Sequence, residues 1–145
     1  MNLNKALKLK KKLVKKSNDF FTKFQSSNSI DITQNETPDY DPKEMYERWK
    51  SCIDELITLK SKIHIANQPI ASKIFKLGEL KSMVQHLRNV NTKSGKQRIS
   101  PYASEMTEYK AWISKVDIDN HIEHLEYQIE QIQEEIEAFN ANTKI

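Results

Sequence analysis

Two glycines, four prolines and one cysteine in 145 residues leave this chain poor in what builds turns, phosphate-cradling loops and disulfide frameworks. Gly supplies the positive backbone angles of tight turns and Pro punctuates short elements. Their scarcity beside abundant Lys, Glu, Ile and Leu points to long helices and an all-α protein. Cys52 stands alone, which excludes an intrachain disulfide and makes a reducing cytosol the simpler setting. No apolar run approaches the roughly 20 residues that span a bilayer. The leucines near the N-terminus are interrupted by Lys and lack the unbroken apolar centre of a secretory signal, so a cytoplasmic location is expected. The formal charge of +3 is too small to mark a nucleic-acid binder by itself, and its distribution matters more than its sum. A chain of this length fits one domain, 1–145, able to bury roughly 70% of its extended surface.

What the chain does contain is helical periodicity. From Asp117 to Asn140, Ile118, Ile122, Leu125, Ile129, Ile132, Ile136 and Phe139 alternate at spacings of four and three, laying one apolar stripe along a helix. Eight Asp or Glu residues and no Lys or Arg accompany them between Asp117 and Phe139. The N-terminal stretch 3–24 is the electrostatic opposite. Leu3, Ala6, Leu7, Leu13, Val14, Phe20, Phe21 and Phe24 form its apolar side, interrupted by Lys10 and Ser17, and eight lysines are opposed by Asp19 alone. Antiparallel packing of these two helices, with their charged flanks facing one another, is the expectation.

Residues 25–40 read as a polar surface loop or partly disordered connection, with a brief strand at Ile30 and Ile32 as an option. Asp41-Pro42-Lys43-Glu44 is a strong helix start, since Asp caps free amides, Pro fits the first turn and Glu44 stands where a capping-box acid belongs. The helix 42–66 carries Met45, Trp49, Cys52, Leu56, Leu59, Ile63 and Ala66 at coiled-coil-like heptad spacing. Ile53 and Ile57 widen that face beyond a two-stranded seam, which favours a bundle. Asn67-Gln68-Pro69 reads as a corner, Asn67 as a cap, and 69–90 as a third helix with Gly78 as its weak point. Residues 91–98 read as an exposed turn in which Gly95 adopts a positive φ, and 101–115 as an irregular but ordered crossover, with a short helix or strand as an option within it, before Asp117 caps the last helix. The expected fold is a four-helix bundle, with helices near 3–24, 42–66, 69–90 and 117–140. It should bury Trp49, Leu56, Ile63, Leu77, Leu87, Leu125, Ile132 and Phe139.

The Leu- and Lys-rich first helix, Lys62-Ile63 followed by Asn67, Ser104-Glu105, and Val116-Asp117 leading into an Ile-, Leu- and Gln-rich helix together resemble the septicolysin-like family of small bacterial helical proteins. The resemblance spans most of the chain, although the segment between Glu105 and Val116 is longer than in the family pattern. It implies a helical fold and assigns no activity, cofactor or functional residue. The family label points toward cytolysis, for which the sequence offers neither a secretion signal nor an amphipathic membrane-spanning hairpin.

No constellation specifies a reaction, and a non-enzymatic protein without cofactor or metal is expected. His121 and His124 sit three apart on one helix, but no Glu lies three residues before any histidine, as a helical di-metal centre would require. Cys52 occupies an apolar stripe, where a small core side chain is the simpler reading than a nucleophile. Ser94-Gly95-Lys96 lacks the earlier glycine and the preceding buried strand of a phosphate loop. The remaining candidate is an anion-binding face formed by Lys5, Lys8, Lys11, Lys12, Lys15 and Lys16, suited to nucleic acid or an anionic membrane. Against it stands neutralisation by the acidic last helix. The breadth of the apolar stripes favours a helical interaction protein whose partner is itself or another helical protein.

Overall fold

The computed structural model describes residues 1–102 and 104–145. Four α-helices follow in order, α1 (Leu3–Ser27), α2 (Pro42–Asn67), α3 (Ala71–Arg88) and α4 (Lys115–Asn142). A two-stranded antiparallel hairpin, β1 (Gly95–Arg98) and β2 (Met106–Tyr109), stands between α3 and α4. The chain is mostly helical, as its composition implies, and divides into two compact units. One comprises Met1–Pro69 with Ala138–Ile145, the other Ile70–Glu137.

The expectation of four separate helices in one bundle is corrected at Asn67-Gln68-Pro69, which makes no loop. Residues Gln68–Ile70 form a 3-10 turn directly between α2 and α3, so three helical runs replace the four expected. The Gln68 N–H bonds back to the Ile65 carbonyl at this tighter spacing, and Asn67 is the last residue of α2 rather than a cap. Pro69 is tolerated because its missing N–H falls where a starting helix leaves amides unpaired anyway.

In the first unit α1 and α2 run antiparallel, with Phe24 beside Tyr46 and Phe21 beside Trp49. Lys10 and Ser17 keep the heptad spacing of the α1 seam instead of breaking it. Leu3, Ala6, Lys10, Leu13, Ser17, Phe20, Phe24 and Ser27 alternate by three and four, and Ser17 and Ser27 are buried. Leu3, Ala6 and Leu13 pack with Leu56, Leu59 and Ile63 as the core, joined by the half-buried Phe139 and Ile145. Asn2 starts α1 by accepting the Lys5 N–H at 2.9 Å while its amide donates to the Ala141 carbonyl at 3.3 Å. The Leu3 N–H donates to Thr143 at 2.8 Å and the Ile145 N–H to Met1 at 3.1 Å, so backbone bonds join the C-terminal residues to the N-terminal ones.

Between α1 and α2 a 3-10 turn, Ile32–Gln34, stands where a brief strand was the option. The Asp31 carboxylate accepts the Thr33 N–H at its start, and Asn35 closes it with a φ of 56°. Asp41 caps α2 as expected, accepting the Lys43 N–H at 3.0 Å. Glu44 is drawn instead to Arg48, one turn on.

In the second unit α3 and α4 run antiparallel, since Lys73 meets Glu135 and Arg88 meets Glu126, each at 2.6 Å. Ile70, Leu80, Val84, Ile118 and Ile132 are buried. Ser114, not Asp117, caps α4, its hydroxyl taking one amide of the first turn. It accepts the Asp117 N–H at 3.1 Å, which places Asp117 in the first turn. The turn expected over 91–98 instead contributes β1, and the crossover over 101–115 contains a short strand, β2, one of the elements left open for it, with Gly95 opposite Tyr109 and Arg98 opposite Met106. Gly95 does take a positive φ, +85°. Ala103, within the expected crossover, lies outside the described residues.

Of the eight side chains expected in the core, Leu56, Ile63 and Ile132 are buried, while Trp49, Leu77, Leu87, Leu125 and Phe139 are only half-buried. The seams within the two units are formed mainly by helices laid in pairs, and one neighbour covers a narrower arc of a helix than a bundle does. Ile57, which broadened the apolar face of α2 in the sequence, is exposed for the same reason. Among the described residues no helix is long and apolar enough to cross a membrane.

Candidate interaction surfaces

Lys5, Lys8, Lys11, Lys12, Lys15 and Lys16 are all exposed on α1. The 3.6-residue period puts them on the side of the helix away from Leu3, Ala6 and Leu13, which are buried. Lys5, Lys8, Lys12 and Lys15 succeed one another at three and four residues, with Lys11 and Lys16 on the flanks. At 1.5 Å per residue the face extends about 17 Å. The structure therefore brings all six together on one surface. Farther along, Lys16 and Lys23 lie 5.9 and 6.0 Å from the Phe20 ring centroid, and Lys23 lies 5.1 Å from that of Tyr40.

Among the described residues no α1 lysine joins an ion pair. The acids of α4 that do so find other partners: Glu135 meets Lys73, Glu126 meets Arg88, and Asp119 meets Lys115 of its own first turn at 3.5 Å. None of these ion pairs is the expected one between the charged flanks of α1 and α4. The lysines lie opposite the seam of α1, so helix packing holds them in solvent rather than against a counter-charge.

The other sequence candidates are not drawn together. His121 is exposed, and His124 Nε2 lies 3.2 Å from Gln128 Nε2 one turn on. His86 lies on α3, its Nδ1 2.9 Å from the Ser82 carbonyl, and His64 lies on α2. Among the described residues no group of three or more His, Cys, Asp or Glu side chains is placed to hold a metal ion. Cys52 is buried in the α2 seam. Ser94-Gly95-Lys96 leads into β1, so no helix N-terminus follows it to bind phosphate.

A second surface lies off the apolar stripes. Phe75 is on the side of α3 away from Leu80 and Val84 and is 72% exposed, and Met83, also exposed, lies about a quarter turn round the helix from it. Reading a helix for its best single stripe discards such residues by construction, and the remaining signal is simply a large aromatic at a position facing away from the seam. In the first unit, Leu9, Leu13 and Leu59 with Met1 and Ile145 line an open groove of about 470 Å³, rimmed by Asp54 and Glu55 among others. No protein-family model, no curated protein and no solved structure matches the chain.

Proposed function

We propose that this chain is a non-enzymatic helical interaction protein that self-associates, a second copy packing against the Phe75 side of α3. The observation that carries this reading is Phe75, 72% exposed in the interior of a helix. A large aromatic of this kind contributes strongly once desolvated at an interface and gains nothing in solvent. A cytoplasmic setting belongs to the same reading, supported by the lone cysteine. The septicolysin-like resemblance is compatible with it and adds no residue to the surface. Light scattering on the full chain is the test. A species of twice the chain mass that grows with concentration supports self-association, and monomer alone at high micromolar concentration contradicts it.

A further inference from the structure

We infer that the lysine face of α1 binds the phosphate backbone of duplex nucleic acid without sequence preference, independently of any association through α3. The face concentrates six exposed ammonium groups over about 17 Å, and α1 contains one acid, Asp19, C-terminal to all six. A DNA duplex carries one negative charge per roughly 1.7 Å of axis, so about ten phosphates lie along this length, and the lysines stand opposite those on the facing side. Neutralising them releases condensed counterions, which is the driving force for sequence-independent binding. Among the described residues no α1 lysine has a carboxylate partner to give up first.

Three features select this polyanion. A helix that lies in a membrane surface needs its apolar side free to enter the headgroup boundary, and here Leu3, Ala6 and Leu13 are buried in the core with Leu56, Leu59 and Ile63. A single-stranded nucleic acid is held largely by bases stacked on aromatic rings, and residues 5–16, Lys-Ala-Leu-Lys-Leu-Lys-Lys-Lys-Leu-Val-Lys-Lys, contain none. Base edges in the major groove are read most selectively by the planar forks of Arg, Asn and Gln, and from Lys5 to Lys16 the chain carries none of these, its polar groups there being lysines, flexible point charges. What remains is attraction to regularly spaced phosphates, which a duplex supplies and any sequence satisfies.

The experiment is fluorescence anisotropy of the full chain with two labelled duplexes of unrelated sequence, across a salt series beginning at low salt. Vesicles of phosphatidylcholine with phosphatidylserine form a parallel arm. The expected result is binding of both duplexes with similar affinity, and a logarithmic salt slope that reaches about −5 when all six lysines engage. Replacing Lys11→Gln, Lys12→Gln, Lys15→Gln and Lys16→Gln together should flatten the slope by about 0.9 for each phosphate that is no longer neutralised. A control with Lys50→Gln, Lys60→Gln, Lys62→Gln and Lys76→Gln removes the same charge from other helices and should keep the slope. Because the α1 substitutions lie opposite the seam, the helical circular dichroism should be unchanged, which separates weakened phosphate binding from unfolding. Absence of duplex binding at low salt, an equally flattened slope in the control variant, or binding to the vesicles without binding to duplex would each overturn the assignment.

Discussion

Arg88 of α3 holds the Glu126 carboxylate of α4 at 2.6 Å, so the acidic run of the last helix finds a counter-charge on its antiparallel neighbour. Both side chains are about half exposed, at 51% and 50%, and water screens the pair. A double-mutant cycle with Arg88→Ala and Glu126→Ala should give a coupling of about 0.2–1 kcal/mol that shrinks as salt is added. A coupling of zero at low salt would remove this pair from the determinants of α3/α4 register.

The core contrast between Ile63 and Trp49 is measurable by urea denaturation. Ile63 is buried among Leu3, Ala6 and Leu59, so Ile63→Ala should cost about 2–5 kcal/mol. Trp49 is half-buried and keeps its ring against Phe21 at 5.0 Å and Tyr46 at 6.1 Å. Trp49→Ala should therefore fall below the full cost of a buried aromatic, at about 2 kcal/mol. A larger loss at Trp49 than at Ile63 would show that its exposed half is covered in solution.

Helix α4 should depend more on Ser114 than on the acid three residues later. Ser114→Ala removes the oxygen that accepts the Asp117 N–H and should cost about 1 kcal/mol. Asp117→Ala removes only a first-turn charge, worth about 0.3–1 kcal/mol. Thermal unfolding monitored at the helical ellipticity minimum checks the order, and the reverse order would restore Asp117 as the cap.

Asp31 provides a pH test of the loop before α2. The Thr33 hydroxyl, followed by the Thr33 backbone N–H, holds its carboxyl below the usual aspartate range. A lowered folded-state value means that the turn is favoured above the unfolded aspartate pKa and loses this contribution as pH falls through the folded value. The Thr33 amide shift followed by NMR should titrate with a midpoint below that of an ordinary aspartate, and Asp31→Asn should abolish the titration. A midpoint at the ordinary value would mean that the Thr33 bonds do not persist in solution.

The helices were legible in the sequence because burial and period coincide along them. Met45, Cys52, Leu56, Leu59 and Ile63 occupy the α2 seam at the spacing their order implies, and Asp41 stands where its cap is needed. The tertiary arrangement was less legible. Pro69 carries the same local preference in a corner as in the first turn of a new helix, and only packing decides between them. The four-residue strands of the hairpin are too short for alternation to separate them from a polar turn. The lysine face was visible as a charge run, but that its lysines join no ion pair among the described residues was not, because charge complementarity along a sequence does not fix which acid meets which base. Phe75 was missed because the periodic stripe of α3 runs past it on the other side.

The most direct measurement is sedimentation equilibrium of the full chain beside Phe75→Glu, which places a charge at the proposed interface between copies. The expected result is a concentration-dependent dimer for the native sequence, with association weakened at least about tenfold in the variant and its helicity kept. A native chain that sediments as monomer at high micromolar concentration, or a dimer that Phe75→Glu leaves equally strong, would contradict self-association through α3.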